Sequence, residues 1–443
     1  MLPRYRAQKT VKQTAHRAFL ETLSAIQIPT ALVRKISREG STVHAAGAAI
    51  DLREFSEIVA IAFGKASFAM AEALSGILAP EFLVDGILVG PAPPPRTLPG
   101  WKSFVGGHPI PSTESLAAGR AILDRLGRCD ERTLVFFLIS GGGSAMVEQP
   151  LAASITLEDF QKLHHALVTC GAPIEEINVI RKHLSATKGG RLASAAPRST
   201  KITFAISDVP EGHESALASG PTLPDPMTSQ DAERIARRHD LLSKFPAPIR
   251  GLFERHALSE TPKPGDPAFA RAHFELLLGE HDLTHACHRT CEAAGFICLA
   301  DNSTDSWPIE KAADHLLAQL GALKRDNPGR PVALLAGGEV SSPVTGNGIG
   351  GRNLAFVLAC VPKIAGKKIV VLSAGTDGID GNSPAAGAVA DGETLQRARE
   401  AGIEPADFFG RSDAYNFFKL LGDEIVTGPT GNNLRDLRIL FAY

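Results

Sequence analysis

Long apolar runs are missing from this 443-residue sequence. Strand-like stretches such as Leu134 to Ile139 fall far short of the ~20 residues that a membrane-crossing helix needs, which argues against an integral membrane protein. Cysteine is scarce too. Cys129, Cys170, Cys287, Cys291, Cys298 and Cys360 follow no spaced framework, so free thiols and a reducing, cytoplasmic compartment are expected. Net charge is nearly absent: 46 Lys plus Arg against 48 Asp plus Glu leave a formal charge of -2. No global field would gather nucleic acid or an anionic membrane, and any basic site must be local. P-loop, H-E-x-x-H and G-x-S-x-G motifs are all absent, which removes the standard nucleotide, zincin and hydrolase signatures. His285, Cys287, His288 and Cys291 have the look of a metal cluster, but a helical pattern there turns Cys287 and Cys291 to the core at i,i+4.

What is present describes a packed globular protein. Hydrophobic residues make up 44% and charged residues 21%, and the length suits two domains. β-rich runs at Ile58 to Phe63, Leu134 to Ile139, Ile202 to Ile206, Val332 to Ala336 and Ile369 to Leu372 each end in small residues and alternate with helical patterns. The stretch Leu116 to Leu126, behind the capping hydroxyls of Ser112 and Thr113, is one such helix. This alternation predicts a doubly wound α/β architecture with parallel strands. Proline-dense Pro91 to Pro99 reads as a surface loop. A second proline cluster between Phe245 and Pro267 sets the expected boundary near residue 255, giving domains 1–255 and 256–443. Arg4, Arg6, Lys9, Lys12 and Arg17 precede the first acid, Glu21; a transit peptide would share that pattern, but a basic first helix is the simpler reading.

Five small-residue turns follow strand signals, the place where doubly wound sheets bind ligands. Gly64-Lys65-Ala66-Ser67 brings a compact cation to a helix start. Ser140-Gly141-Gly142-Gly143-Ser144 could fold as an anion-holding nest. Gly346, Gly348 and Gly351 satisfy G-x-G-x-x-G formally, but they start some nine residues past Ala336 and lack the acid that a dinucleotide site requires. That segment reads instead as a mobile lid that delivers Arg352 through Gly350-Gly351-Arg352-Asn353. Asp377 and Asp380, in the turn after Ile369 to Leu372, are oxygen ligands suited to Mg²⁺ or else turn formers. Asp208 could orient a hydroxyl or hold metal. Arg181, Lys182, His183, Lys188 and Arg191 read in isolation as a solvated helical face.

Taken in order, these blocks resemble the glycerate 2-kinase family, whose tartrate-utilisation members were once labelled hydroxypyruvate reductases. The likeness also runs through Gly107-His108-Pro109-Ile110-Pro111, Asn178 to Ser185, Ala218 to Thr222 and Gly428-Pro429-Thr430-Gly431, so it spans nearly the whole chain. The resemblance implies a Rossmann-like N-terminal kinase domain and a smaller C-terminal MOFRL domain with a mixed sheet, with the active site in the cleft between them. It further implies transfer of the γ-phosphoryl of ATP to the 2-hydroxyl of D-glycerate with Mg²⁺. Lys65, Arg352 and Asp208 would be catalytic; Asp208 and Asp377 would hold metal. Gly64, His108, Ser140, Gly141, Gly142, Gly143, Ser144, Arg181, Lys188, Gly350, Gly351 and Asn353 would bind substrate or nucleotide. A homodimer is compatible with the resemblance. Three polar sites depart from the family pattern. Pro210-Glu211-Gly212 replaces a Gly-Asp-Asp run, Leu354-Ala355 follows Arg352-Asn353 where the family has Gln-Glu, and Ser383-Pro384 stands for Thr-Asp. The alternatives are an NAD(P)-dependent hydroxypyruvate reductase, a diverged kinase for another hydroxy acid, and a non-catalytic nucleotide-binding homologue.

Overall fold

The computed structural model describes residues 2–209 and 212–443, with residues 2–10 described by their backbone alone. Pro210 and Glu211, where the first family departure falls, lie outside the described residues. The chain forms two compact units, Ile28–Leu277 and Met1–Gln27 together with Leu278–Tyr443.

The first unit opens with the helix Ile28–Lys35, followed by a small antiparallel sheet of β1 (Ile36–Glu39), β2 (Thr42–Ala45) and β3 (Ala48–Asp51). Its main sheet contains β4 (Glu57–Phe63), β5 (Val84–Gly90), β6 (Trp101–Val105), β7 (Thr133–Ile139), β8 (Thr200–Ile206) and β9 (Ala272–Leu278) in the order β6-β5-β4-β7-β8-β9. The pairs β4 to β5, β5 to β6, β4 to β7 and β7 to β8 are parallel. Every residue of β7 and β8 is buried, as expected of parallel strands covered on both faces. The helix Thr113–Leu126 starts where the sequence places it, with Ser112 and Ser115 closing a capping box.

The second unit holds β10 (Ile297–Ala300), β11 (Val332–Ala336), β12 (Ile369–Gly375), β13 (Gly387–Asp391), β14 (Glu424–Ile425) and β15 (Asp436–Ala442), ordered β10-β11-β15-β12-β13-β14. Only β10 and β11 run parallel; β15 lies antiparallel between β11 and β12, so the sheet is mixed. No helix among the described residues is long and apolar enough to cross a membrane.

Two features differ from the sequence expectation. The first helix, Leu2–Ala25, belongs to the second unit, where Ala15, Ala18 and Phe19 are buried and Asn432 donates to the Ile26 carbonyl. The expected break at 255 falls inside the first unit, because the chain continues past the prolines to β9 at the edge of that unit's own sheet.

Candidate active site

In the first unit, parallel register sets Phe63 beside Ile139, so the turns that follow β4 and β7 emerge side by side at the carboxyl edge. Gly64 adopts φ +114°, and a Cβ there would fall 2.4 Å from both the carbonyl oxygen and Oγ of Ser140; glycine is required. The Ser140 hydroxyl is itself committed, accepting the Ala66 N–H at 3.0 Å, and the Lys65 N–H reaches the Gly141 carbonyl at 2.9 Å. Ser140 therefore joins the two turns. Lys65 is left exposed at this junction. Gly142 sits at φ +83° and opens the short helix Gly143–Met146. Ser144 Oγ lies 3.0 Å from Ser219 Oγ, which donates to Asn178 Oδ1 at 3.1 Å, tying the turn to the helix Ile174–Leu184.

The basic segment expected on a solvated face is largely buried, and most of its members are matched. Lys182 pairs with Asp225 at 3.2 Å; Arg191 donates to the Ser259 and Glu260 carbonyls; His183 is fully buried, its Nδ1 against the Val179 carbonyl. Lys188 is fully buried and forms an ion pair of 2.7 Å with Glu148, itself buried and accepting from Ser185. The Lys188 ammonium also donates to the carbonyls of Ser144 and Val147. Lys188 thus pins the glycine turn and has no charge left over for a ligand. Arg181 is the exception: among the described residues it has no carboxylate partner, and its Nη2 donates to His164 Nδ1 at 3.2 Å.

Arg181, His164, His108, Gly142 and Ser144 line one cavity of ≈ 180 Å³. Its opposite wall is apolar, formed by Phe160, Leu163 and Leu167 of the helix Leu157–Val168. Burial, helped by the charges of Arg181, Lys188 and His108, pushes the His164 imidazole down to about 4. It is neutral at physiological pH, and because Nδ1 accepts from Arg181, Nε2 carries the proton and is a donor. Burial and then the Lys65 charge also hold His108 below its ordinary value, so the Lys65 ammonium is felt at the cavity mouth.

The second unit contains a separate polar cluster. Arg352 begins the helix Arg352–Ile364; its Nε and Nη2 donate to Asp436 at 2.6 and 3.3 Å, and Nη2 reaches Glu339 at 2.8 Å. Burial opposes the guanidinium charge most strongly, but Asp436, Glu339 and Asp380 together outweigh it and raise the pKa above the ordinary arginine value. Asp380, 3% exposed, accepts the N–H groups of Asn353 and Leu354 at 3.1 and 2.8 Å, and its carboxyl is pushed up by burial to about 7. The start of this helix is therefore already occupied by a carboxyl group. Asn353, 1% exposed, spends its amide on Asp380 and accepts from Ser373 at 2.6 Å, while Gly351 and Gly381 exist because Asp380 and the Gly350 carbonyl press on them. Asn353 and Gly351 build the frame around Arg352 and present no free group to a ligand.

The 345–351 segment, expected to be a mobile lid, is stitched down. Thr345, Gly348, Ile349 and Gly350 donate to Ser412, Arg411, Asp413 and Asn382 respectively. Asp377 stands at the end of β12 with Oδ1 accepting the Ile379 N–H at 3.2 Å. A Cβ on Gly375 would lie 3.1 Å from Asp377 Oδ1 and 3.6 Å from Asp436 Oδ1, so two carboxylates converge at that strand end. Asp208 and Asp377 fall in different units, and among the described residues no group of three or more His, Cys, Asp or Glu side chains is arranged to hold a metal ion. The His285 to Cys291 set lies in the helix Glu280–Ala293 with both of its cysteines buried, as its spacing predicts.

Comparison with known proteins decides the family. Residues 14–254 match a family described as a domain of unknown function (DUF4147), and residues 332–436 match the MOFRL family. The D-glycerate 2-kinase of Thermotoga maritima is 33% identical over 385 residues, covering 86% of this chain and 90% of that protein. The chain belongs to the glycerate kinase family. A Rattus norvegicus glycerate kinase is 30% identical, with 97% of this chain and 92% of that protein covered. The crystal structure of a glycerate kinase from Thermotoga maritima, 30% identical, superposes with a TM-score of 0.85 over 98% of this chain and 100% of that one.

Within this glycerate kinase fold, His108, Gly142, Ser144, Arg181 and Lys188, which the resemblance named among its binding residues, all line one cavity. Sequence reasoning missed His164, Glu148 and Asp436. For His164 a signal was available: in the amphipathic 157–168 helix, Phe160, Leu163, His164 and Leu167 share one stripe, whereas His165 is exposed. Glu148 and Asp436 carry no local signal, because their partners Lys188 and Arg352 are 40 and 84 residues away.

Proposed function

We propose that this protein transfers the γ-phosphoryl group of ATP to the 2-hydroxyl of D-glycerate, forming 2-phosphoglycerate and ADP. The likeness to a D-glycerate 2-kinase over nearly the whole length of both proteins carries this reading. The glycine turns at the carboxyl edge of the first unit's sheet, with the exposed Lys65 and the cavity-lining Arg181 near them, support it. In the reaction the substrate oxygen forms a bond to the γ-phosphorus while the bond to the bridging β,γ-oxygen breaks, and the hydroxyl proton passes to a base. Little covalent chemistry is asked of the protein, so placement and charge neutralisation dominate.

Lys65 is exposed and would meet a phosphoryl oxygen. Arg352 acts as an oriented guanidinium, its Nε edge fixed by Asp436. Asp208 is assigned to the substrate hydroxyl. Mg²⁺ would neutralise nucleotide phosphate charge, and Asp377 is the carboxylate suited to hold it: one oxygen is engaged by Ile379, and the acid stands beside the converging Asp436. The reading places the protein in the cytoplasm, where its six free cysteines would remain reduced.

The dehydrogenase alternative has no structural support from the G-x-G-x-x-G segment, since the helix that follows it starts on the Asp380 carboxyl, where a dinucleotide pyrophosphate would need open N–H groups. The deciding experiment incubates the protein with ATP, Mg²⁺ and D-glycerate and identifies the phosphorylated product by its position of attachment. ADP formation with 2-phosphoglycerate supports the kinase. Oxidation of NADH with hydroxypyruvate and no ATP turnover would replace it.

A further inference from the structure

The cavity between the glycine turn and the 157–168 helix has an unusual charge inventory. Lys188 and Glu148 cancel, and Lys182 is cancelled by Asp225 outside it. Arg181 alone projects a cation into the cavity with no acid within ion-pair distance among the described residues, and its nearest polar partner is the neutral His164. A half-buried guanidinium with no carboxylate in ion-pair contact is unfavourable: burial lowers its pKa, and the charge of Glu148, already paired with Lys188, only partly opposes that. Such a site is stabilised when an anion arrives.

We infer that Arg181 is the anchor for the substrate carboxylate, with the Nε2–H of His164 as a second donor and Phe160, Leu163 and Leu167 as the wall against which the carbon chain lies. This assignment rests on the kinase reading for the identity of the acid, and it goes beyond that reading in separating the acid's seat from the nucleotide's. Three observations favour a small organic carboxylate over a polyphosphate. The cavity offers one unmatched cation, which balances a single negative charge, whereas a triphosphate carries several. One wall is hydrocarbon, which fits a carbon chain and not a row of phosphate oxygens. At ≈ 180 Å³ it is also smaller than the roughly 300–1,000 Å³ of pockets for drug-sized ligands, which suits a small acid better than a nucleotide. The planar fork of arginine, held on one edge by His164, leaves its other donors for bidentate contact with a carboxylate.

The test compares wild type with Arg181→Met and Arg181→Lys by three measurements: KM for D-glycerate and for ATP, calorimetric binding of D-glycerate without nucleotide, and thermal unfolding. In Arg181→Met, binding and KM for D-glycerate should weaken about 10- to 150-fold, the worth of a charged hydrogen bond, while KM for ATP stays within about twofold. Preference for D-glycerate over uncharged glycerol should collapse in parallel. Arg181→Lys should fall between, keeping the charge and losing the fork. Thermal stability should hold or rise in Arg181→Met, because an unmatched cation is removed; a merely structural arginine would lower it. Unchanged D-glycerate affinity, or a loss confined to ATP, overturns the inference even if wild type is an active kinase. If wild type turns over no ATP yet D-glycerate binding vanishes in Arg181→Met, the carboxylate seat stands and the kinase reading falls.

Discussion

Replacing Glu148 with glutamine probes the pair on which the glycine turn depends. Lys188 and Glu148 have side chains only 2% and 4% exposed and stand 2.7 Å apart. Glutamine keeps the shape and leaves an ammonium group buried without its counter-charge. Breaking a buried pair from one side costs about 3–5 kcal/mol. For a unit of this size each kcal/mol lowers the melting temperature by about 2–4 °C, so Glu148→Gln should lower the first unit's transition by roughly 6–20 °C at neutral pH. The pH dependence supplies the sharper criterion. Burial already holds Lys188 below its ordinary 10.5, with Glu148 opposing that fall; without Glu148 the native value drops further. Between that value and 10.5 the native state binds fewer protons than the unfolded chain, so the variant should regain stability as pH rises toward 10. Adding Lys188→Met should rescue much of the loss, since a hydrocarbon replaces the stranded charge. Calorimetric melting from pH 6 to 10 reads all of this. A single variant that melts within about 2 °C of wild type at pH 7, or a loss that is flat with pH, would refute the reasoning.

Further outcomes follow from the same geometry. Gly64→Ala forces a methyl to 2.4 Å from Ser140 at φ +114°, and should destabilise the first unit by several kcal/mol in urea unfolding; a cost under about 1 kcal/mol would mean the turns part easily. Lys65→Ala and Arg352→Ala should each lower kcat by about 10²-fold or more with far-ultraviolet circular dichroism unchanged, and full turnover in both variants would remove their proposed roles. Asp380 titrates at about 7 instead of the ordinary 3.8, so the native state holds its proton more tightly than the unfolded chain does. Its contribution to stability is therefore present below about pH 4 and lost as pH rises toward 7, by about 4 kcal/mol at most; Asp380→Asn should abolish that slope in the second unit's unfolding, and an unchanged slope would show that the carboxyl stays ionised.

Much of the architecture was legible in local pattern. The continuous apolar runs became fully buried parallel strands, because a strand covered on both faces has no use for alternation. Ser112 capped its helix as expected, and the small-residue turns lie at the strand ends where the backbone must approach closely. Gly64 and Gly142 were recognisable as turn residues from composition. Their partners were not, since the Gly64 contact with Ser140 depends on which strands are neighbours, and strand order is a tertiary matter.

The sequence by itself determined the secondary-structure rhythm, the glycine positions and the residue types available for binding an anion, all of which arise from interactions a few residues long. Only the tertiary structure decided which charges remain unspent. Lys188 and Arg181 are alike in a linear reading, but Glu148 pairs with the first, and among the described residues no acid stands within ion-pair distance of the second. It also decided that Leu2–Ala25 completes the unit formed by the far end of the chain. Charge matching and helix docking depend on distance in space, and residues 40 or 400 positions apart meet only once the sheets have set their order.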